Sequence, residues 1–396
     1  MFNIDNDYIV KIRREIHMYP ETDFDLPKTV ALVKRELDSF GIEHTEKYGK
    51  GSVVGYINPK KEGFTIGLRA DMDALNIVEK NNVEYRSKID GKMHACGHDA
   101  HTAVLLATAK ALKEMENELK CRVKLLFQPS EEGMKSGAVM MIENGVLDDV
   151  DIILGLHVTN GLESGILGIC VGEALASSRH FTIEIKGKSA HAASAYTGID
   201  ALAVAVRMYQ AIQLVLTREI SPFERYLCSI GKLEAGTAQN IVADHAVMKG
   251  TIRAFNVAVS THIFERIQKI AKALSEETGA EISVEGPLKS VCVYNNPYLS
   301  QLLKESMIKL IGKENYRDTK PGMGSEDFSR LSDKVPGVFF RLGTKNEAKG
   351  CSSAAHHDDF SIDEEYLHRG AETFVQFIID NQNGVDIQKA KASDDR

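Results

Sequence analysis

Three apolar runs in the first half of the chain, Phe64 to Leu68, Arg122 to Phe127 and Asp151 to Leu156, each lead into residues that bind metals or move protons. The first enters Arg69-Ala70-Asp71-Met72-Asp73, the second Gln128-Pro129-Ser130-Glu131-Glu132-Gly133, and the third His157. Singly, each has an ordinary reading: carboxylates in a turn, glutamates in a solvated loop, a histidine at a strand end. Together they constrain the fold, because open α/β sheets build their sites outside the carboxyl ends of their strands. Asp71 and Asp73, two apart on extended chain, point the same way. Neighbouring carboxylates such as Glu131 and Glu132 can divide labour, one binding a metal and one moving protons.

The densest chemistry lies between the first two runs, in His94-Ala95-Cys96-Gly97-His98-Asp99-Ala100-His101. Cys96 offers a thiolate and His98 an imidazole, a pair suited to zinc, manganese-group or nickel-group ions according to the other ligands. Gly97 lets the backbone turn tightly, so both side chains can reach one centre. An alanine-rich helix follows, from Thr102 to Leu112.

Helical spacing predicts a first helix capped by Asp5 and stopped by Pro20, and a second opened by Pro27 and closed by Gly41. Ser52 to Ile57 reads as a strand before the turn Pro59-Lys60-Lys61-Glu62-Gly63. From about Ser178 the pattern changes. Phe181 to Lys186, Tyr226 to Leu233, Ala246 to Arg253 and Glu281 to Val284 read as strands, with helices over Ile199 to Thr217 and Thr261 to Thr278. The order β-α-β-β-α-β is ferredoxin-like, and about a hundred residues is an ordinary domain size. We therefore expect residues 179–288 as an inserted α+β domain, and 1–178 with 289–396 as the surrounding α/β domain on a mixed, largely parallel sheet. The later part carries a helix from Tyr298 to Ile311, the turn Gly322-Met323-Gly324-Ser325-Glu326-Asp327-Phe328, a strand from Val338 to Leu342, His356-His357-Asp358-Asp359-Phe360, and a helix from Asp363 to Asn381. Given a metal site, His356 or His357 is a further ligand. Lys389 to Arg396 reads as a polar, disordered end.

At 396 residues the chain is long enough for two domains. A formal charge of -8 without a Lys/Arg run argues against nucleic acid or a membrane surface as partner. The six scattered cysteines fit reduced thiols in a cytoplasm. Met1-Phe2-Asn3-Ile4-Asp5 lacks the pattern of a signal peptide, and no apolar run is long enough to span a bilayer.

Taken in order, Leu68 to Leu75, Met93 to His101, Phe127 to Gly133, Gly155-Leu156-His157, Ser189-Ala190-His191-Ala192-Ala193, Gln239-Asn240-Ile241, Gly250-Thr251-Ile252-Arg253, Gly324 to Phe328 and the His356 segment resemble the M20 metallopeptidase superfamily. The Cys-Gly-His form resembles its amidohydrolase branch, which includes hippurate, auxin-conjugate and other N-acyl-amino-acid hydrolases and the N-acetyldiaminopimelate deacetylases. The resemblance implies two divalent metal ions (Mn, Zn, Co or Ni) held by Cys96, His98, Glu132, His157 and His356. It implies Glu131 as general base for a metal-activated water, Asp73 as the carboxylate that orients a ligand, and His191 as the group that polarises the scissile carbonyl. It also implies a small-molecule N-acyl amino acid substrate and a homodimer formed through the inserted lid domain. Asn240 or Arg253 is the candidate for the substrate carboxylate, since an arginine fork pairs bidentately with one. Two departures are Asn76, where the family usually has Pro, and the absence of Pro before Phe360; counting back from Phe360 favours His356 as the ligand. A dipeptidase or carboxypeptidase differs only in the acyl group. A thiol amidase with Cys96 as nucleophile leaves Glu132, His157 and His356 without a role, and a non-catalytic relative leaves Glu131 without one.

Overall fold

The computed structural model describes residues 4–393; the opening Met1-Phe2-Asn3 and the last three residues of the polar tail lie outside the described residues. The chain divides into two compact units. The first comprises Met1–Ala174, Tyr294–Pro321 and Asp327–Arg396, and the second Leu175–Val293 with Gly322–Glu326.

The first unit is built on an eight-stranded sheet. Its strands run across the sheet in the order Glu43–Thr45, Val53–Ile57, Arg122–Gln128, Thr65–Asp71, Ile152–Glu163, Gly337–Lys345, Leu167–Ile169 and Tyr316–Asp318. The central strands pair in parallel: Thr65–Asp71 with both Arg122–Gln128 and Ile152–Glu163, and the last of these with Gly337–Lys345. Val53–Ile57 joins antiparallel, so the sheet is mixed. Every residue of Thr65–Asp71 is buried, as expected of a strand covered on both faces. The register sets Asp71 beside Gln128, bringing the ends of two strands to one edge.

The third strand runs past His157 to Glu163, because its pairing with Gly337–Lys345 continues that far. Its pairing with Thr65–Asp71 nevertheless ends at Gly155, so His157 stands just beyond that neighbour. Helix His98–Glu114 covers the sheet and is buried on nearly all sides, which is why its alanines and small residues lie all round it rather than on one stripe. Part of the polar tail is ordered: Ile387–Ala392 is a helix, capped by Asp386 and seated through buried Ala390.

The second unit is an antiparallel sheet of Glu281–Glu285, Ser177–Lys186, His245–Ala254 and Tyr226–Ala235, in that order, with Leu288–Ser290 also pairing to Ser177–Lys186. Its strands extend further than the sequence pattern marks, so the unit is wider than residues 179–288. Helices Ala201–Arg218 and Val257–Thr278 pack on the sheet. Ile263, Ile267, Ala271 and Leu274 of the second helix recur at helical spacing and are buried; each of the larger ones contributes about 1.5–3 kcal/mol. Gly322 and Gly324 return to this unit as acceptors for the Ala176 N–H. Among the described residues no helix is long and apolar enough to cross a membrane.

Candidate metal centre

Cys96, His98, Glu131, Glu132, His157 and His356 all belong to the first unit and come together there. Cys96, His98 and His157 each present one donor atom within 4.8 Å of the others, as do Cys96, Glu132 and His356, and His98, Glu131 and Glu132. Cys96 Sγ lies 3.4 Å from His157 Nε2, and His356 Nε2 lies 3.1 Å from Glu132 Oε1. Cys96, His98 and Glu132 are shared between these groups, so the donors form one continuous cluster with room for more than one ion.

The hydrogen bonds around the cluster leave the right nitrogens available. His98 Nδ1 donates to the Asp73 carbonyl at 2.8 Å, which leaves Nε2 as the ring nitrogen for a metal; this buried Nε2 makes no hydrogen bond among the described residues and lies 3.7 Å from Asp71 Oδ2. His157 Nδ1 donates to the Val158 carbonyl at 2.6 Å, which again frees Nε2. A buried imidazole nitrogen without a partner costs free energy unless something fills the site, and metal-bound histidines commonly donate their other ring N–H in this way.

The electrostatics differ from one donor to the next. Burial, with His101 and Arg341 nearby, holds His157 well below the ordinary histidine range, so its ring is neutral. Burial, with Glu132 and Glu131 nearby, pushes the Cys96 thiol well above its usual value. His98 is buried too, but Asp71 and Cys96 outweigh that and raise it. Thiols become ligands by losing a proton to a bound cation; a donor set of one sulfur, three imidazoles and a carboxylate fits a divalent transition metal.

Backbone geometry supports the ligands. Gly97 has φ +90°, and a Cβ there would come within 2.3 Å of Val158 Cγ2; the turn therefore requires glycine. His356 has φ +69° and Ser130, just before Glu131, has φ +51°, conformations that non-glycine residues adopt rarely and that cluster at functional sites. His356 is held by its N–H to the Ala95 carbonyl at 2.7 Å. Among the described residues no metal-capable group includes His357, which is exposed.

Asp73 does more than orient one ligand. Its carboxylate accepts the N–H of Glu131 at 2.9 Å and of Glu132 at 3.0 Å, while its carbonyl orients His98. Burial raises its pKa, opposed by His98 and by the Glu131 N–H. Asp71, two residues away, serves different partners: Arg69 Nη1 at 2.7 Å and His101 Nδ1 at 2.6 Å. His101 Nε2 accepts the Val158 N–H at 2.9 Å, so both its nitrogens are engaged and the ring braces the strand that carries His157. His94 is buried away from the donor groups, and burial lowers its pKa to about 3.

Sequence reasoning overlooked Asp327 as an organiser. It is fully buried and accepts from Arg69 Nη2 at 2.9 Å, Gln128 Nε2 at 2.7 Å and Ser136 Oγ at 2.6 Å, while its own N–H donates to Glu131 Oε1 at 3.3 Å. The Gly324 to Phe328 motif was visible, but nothing local marks which of its acids is buried.

In the second unit His191 is exposed, and its Nδ1 accepts the Ala193 N–H at 3.1 Å, leaving the ring proton on Nε2. His191 bridges Ile241, and the Ala192 N–H donates to the Asn240 carbonyl, so His191 and Asn240 are neighbours. Arg253 is half-buried and donates from Nη1 to Ser325 Oγ.

The profile of Peptidase family M20/M25/M40 matches residues 67–380. The chain is a member of that family. It is 37% identical over 369 residues to thermostable carboxypeptidase 1 of Saccharolobus solfataricus, covering 92% of this chain and 93% of the relative. It is 39% identical over 370 residues to IAA-amino acid hydrolase ILR1-like 4 of Arabidopsis thaliana, covering 92% and 83%. Among solved structures, the YXEP protein of Bacillus subtilis, described as a dinuclear metal binding peptidase from the M20 family, superposes with a TM-score of 0.81 at 31% identity, over 96% of this chain and 99% of that one. This M20 protein is thus a metal-dependent hydrolase with an α/β fold on a largely parallel sheet, as its sequence motifs imply.

Proposed function

We propose that this M20 protein hydrolyses the amide bond of N-acyl amino acids, releasing a carboxylate and a free amino acid. The observation that carries the reading is the convergence of Cys96, His98 and His157 beside the Glu131–Glu132 pair, with His98 Nε2 buried and without a hydrogen bond among the described residues. In this reading Cys96, His98, Glu132, His157 and His356 hold two divalent ions, with Mn, Zn, Co and Ni as candidates. When bound, such ions make water nucleophilic near neutral pH and stabilise the oxygen of a carbonyl under attack.

Glu131 takes the proton from the attacking water on its carboxylate and returns it to the leaving nitrogen. Asp73 holds the Glu131 and Glu132 amides and the His98 ring, fixing the base relative to the ligands. His191, with its proton on Nε2, is assigned to the developing oxyanion; one such donor contributes about 3–4 kcal/mol in comparable sites. Arg253 or Asn240 binds the substrate carboxylate.

A homodimer through the second unit is part of the proposal. Leu202, Val206, Tyr209 and Leu214 are exposed along helix Ala201–Arg218, and Leu233 is exposed on the edge strand Tyr226–Ala235. The free cysteines support a reducing, cytoplasmic setting.

The test is amino-acid release from acetyl, benzoyl and indoleacetyl amino acids, N-acetyldiaminopimelate and carboxypeptidase peptides. Each is run as purified, after chelation, and after return of Mn²⁺, Zn²⁺, Co²⁺ or Ni²⁺. Chelator-sensitive, metal-restored release from acyl amino acids is expected. Cleavage of peptides alone would replace this reading with the carboxypeptidase one, which the Saccharolobus relative's name favours. Activity that ignores chelators but falls to thiol reagents would overturn both.

A further inference from the structure

The ligands do not themselves explain what holds their loop. Residues 94 to 97 belong to no helix or strand. The segment is tied at its start by the bridge between Leu75 and Met93, and at its end it enters helix His98–Glu114 at Gly97, which supplies no side-chain cap. Asp99, the residue after His98, is fully buried and belongs to none of the metal-capable groups among the described residues. Its Oδ1 accepts the Ala100 N–H at 3.0 Å. Its Oδ2 lies 2.8 Å from Arg13 Nε and 2.6 Å from His17 Nδ1.

Arg13 and His17 stand one turn apart on helix Asn6–His17, and each is 1% exposed. Both are anchored in turn: Arg13 Nη1 to Glu364 Oε1 at 3.0 Å, and His17 Nε2 to Glu79 Oε1 at 3.2 Å, where Glu79 also accepts the Ser87 N–H at 2.7 Å. Burying ions costs several kcal/mol each, and apolar side chains of similar volume commonly serve stability as well or better. Stability alone therefore gives no reason for this cluster. Its distinguishing feature is position: one carboxylate, adjacent to His98 and three residues from Cys96, is clamped by an arginine and a histidine from a separate helix.

We propose that Arg13 and His17 are positioning residues for the metal site, holding through Asp99 the turn that carries Cys96 and His98. The inference rests on the metal-centre reading above. Its test is divalent-ion affinity of the full-length, chelator-stripped protein, read with Mn²⁺, Zn²⁺ and Co²⁺ by competition against a chromophoric chelator, alongside melting in the absence of metal. Two variants are compared with wild type: His17→Gln, and the apolar triple Arg13→Met, His17→Leu, Asp99→Leu. Loss of partners that orient metal ligands typically weakens binding 10–100-fold, so each variant is expected to fall about that far. The triple is expected to melt no lower than wild type. At saturating metal, kcat of His17→Gln should recover with KM unchanged, and Arg13→Lys should retain intermediate affinity.

Variants that fold and bind metal as wild type would overturn the proposal. So would failure of both His17→Gln and the triple to fold, which would make the cluster structural only. A wild type that binds no divalent ion would overturn the metal-centre reading as well, which distinguishes that failure from this one.

Discussion

Gly97→Ala tests the geometry of the ligand loop with the smallest available change. Gly97 has φ +90°, and the added methyl would lie 2.3 Å from Val158 Cγ2, well inside van der Waals contact. Two costs add. The left-handed backbone costs an L-residue about 1–2 kcal/mol, and overpacking a filled interior costs about 1–3 kcal/mol, giving about 2–5 kcal/mol. Relief requires moving either the Cys96–His98 turn or Val158, the residue after His157, so each route displaces a candidate ligand. A domain of this size loses about 2 °C per kcal/mol, so the chelated variant should melt about 4–10 °C below wild type. Metal content after dialysis, measured by elemental analysis, should fall as well. Adding Val158→Ala removes the overlap but not the backbone cost, and should return part of the stability relative to Gly97→Ala. A Gly97→Ala protein that melts within 1 °C of wild type and keeps its metal would refute both the close approach and the requirement for glycine.

Glu131→Gln should retain metal and lose about 10²–10⁴ in kcat, the usual range for a general base; near-normal turnover with full metal would remove Glu131 from that role. Cys96→Ser should bind divalent ions more weakly, by a shift visible in the same dialysis measurement, because a serine hydroxyl does not replace a thiolate; full metal retention would exclude Cys96 as a ligand. For His17, burial and Arg13 act to lower its pKa, but Asp99 and Glu79 outweigh them and the pKa is raised. A group raised in the folded state contributes stability that is complete below its unfolded value, about 6.5, and is lost as pH rises through its folded value. Melting of the chelated protein should therefore decline above about pH 6.5 by an amount that His17→Gln does not show; parallel profiles would refute the assignment.

The sequence made the strand ends legible because the chemistry there is local. Glu131 and Glu132 follow directly on a buried apolar run, and Cys96 and His98 flank a glycine, so residue type and neighbours carry the signal. What it hid was the division of labour among similar residues. Asp71 and Asp73 look equivalent on an extended strand, yet one braces Arg69 and His101 while the other caps two glutamate amides. His94, His98 and His101 look equally metal-capable, yet hydrogen bonds to distant backbone and carboxyl groups leave a buried nitrogen without a hydrogen bond within reach of Cys96 and Glu132 only on His98. Arg13 and His17 carried no signal, and Asp327 none beyond its place in a motif, since their partners lie far along the chain and only the fold brings them near. The short strands Leu167–Ile169 and Tyr316–Asp318 were invisible for a related reason, as three residues carry no period. Donors can thus be read from sequence where an element ends, whereas the groups that choose a ring's tautomer or hold a turn are set by tertiary contacts. For this site those contacts are decisive: the same eight residues from His94 to His101 supply two candidate ligands, a brace, a buried bystander and an anchor, and only their partners tell them apart.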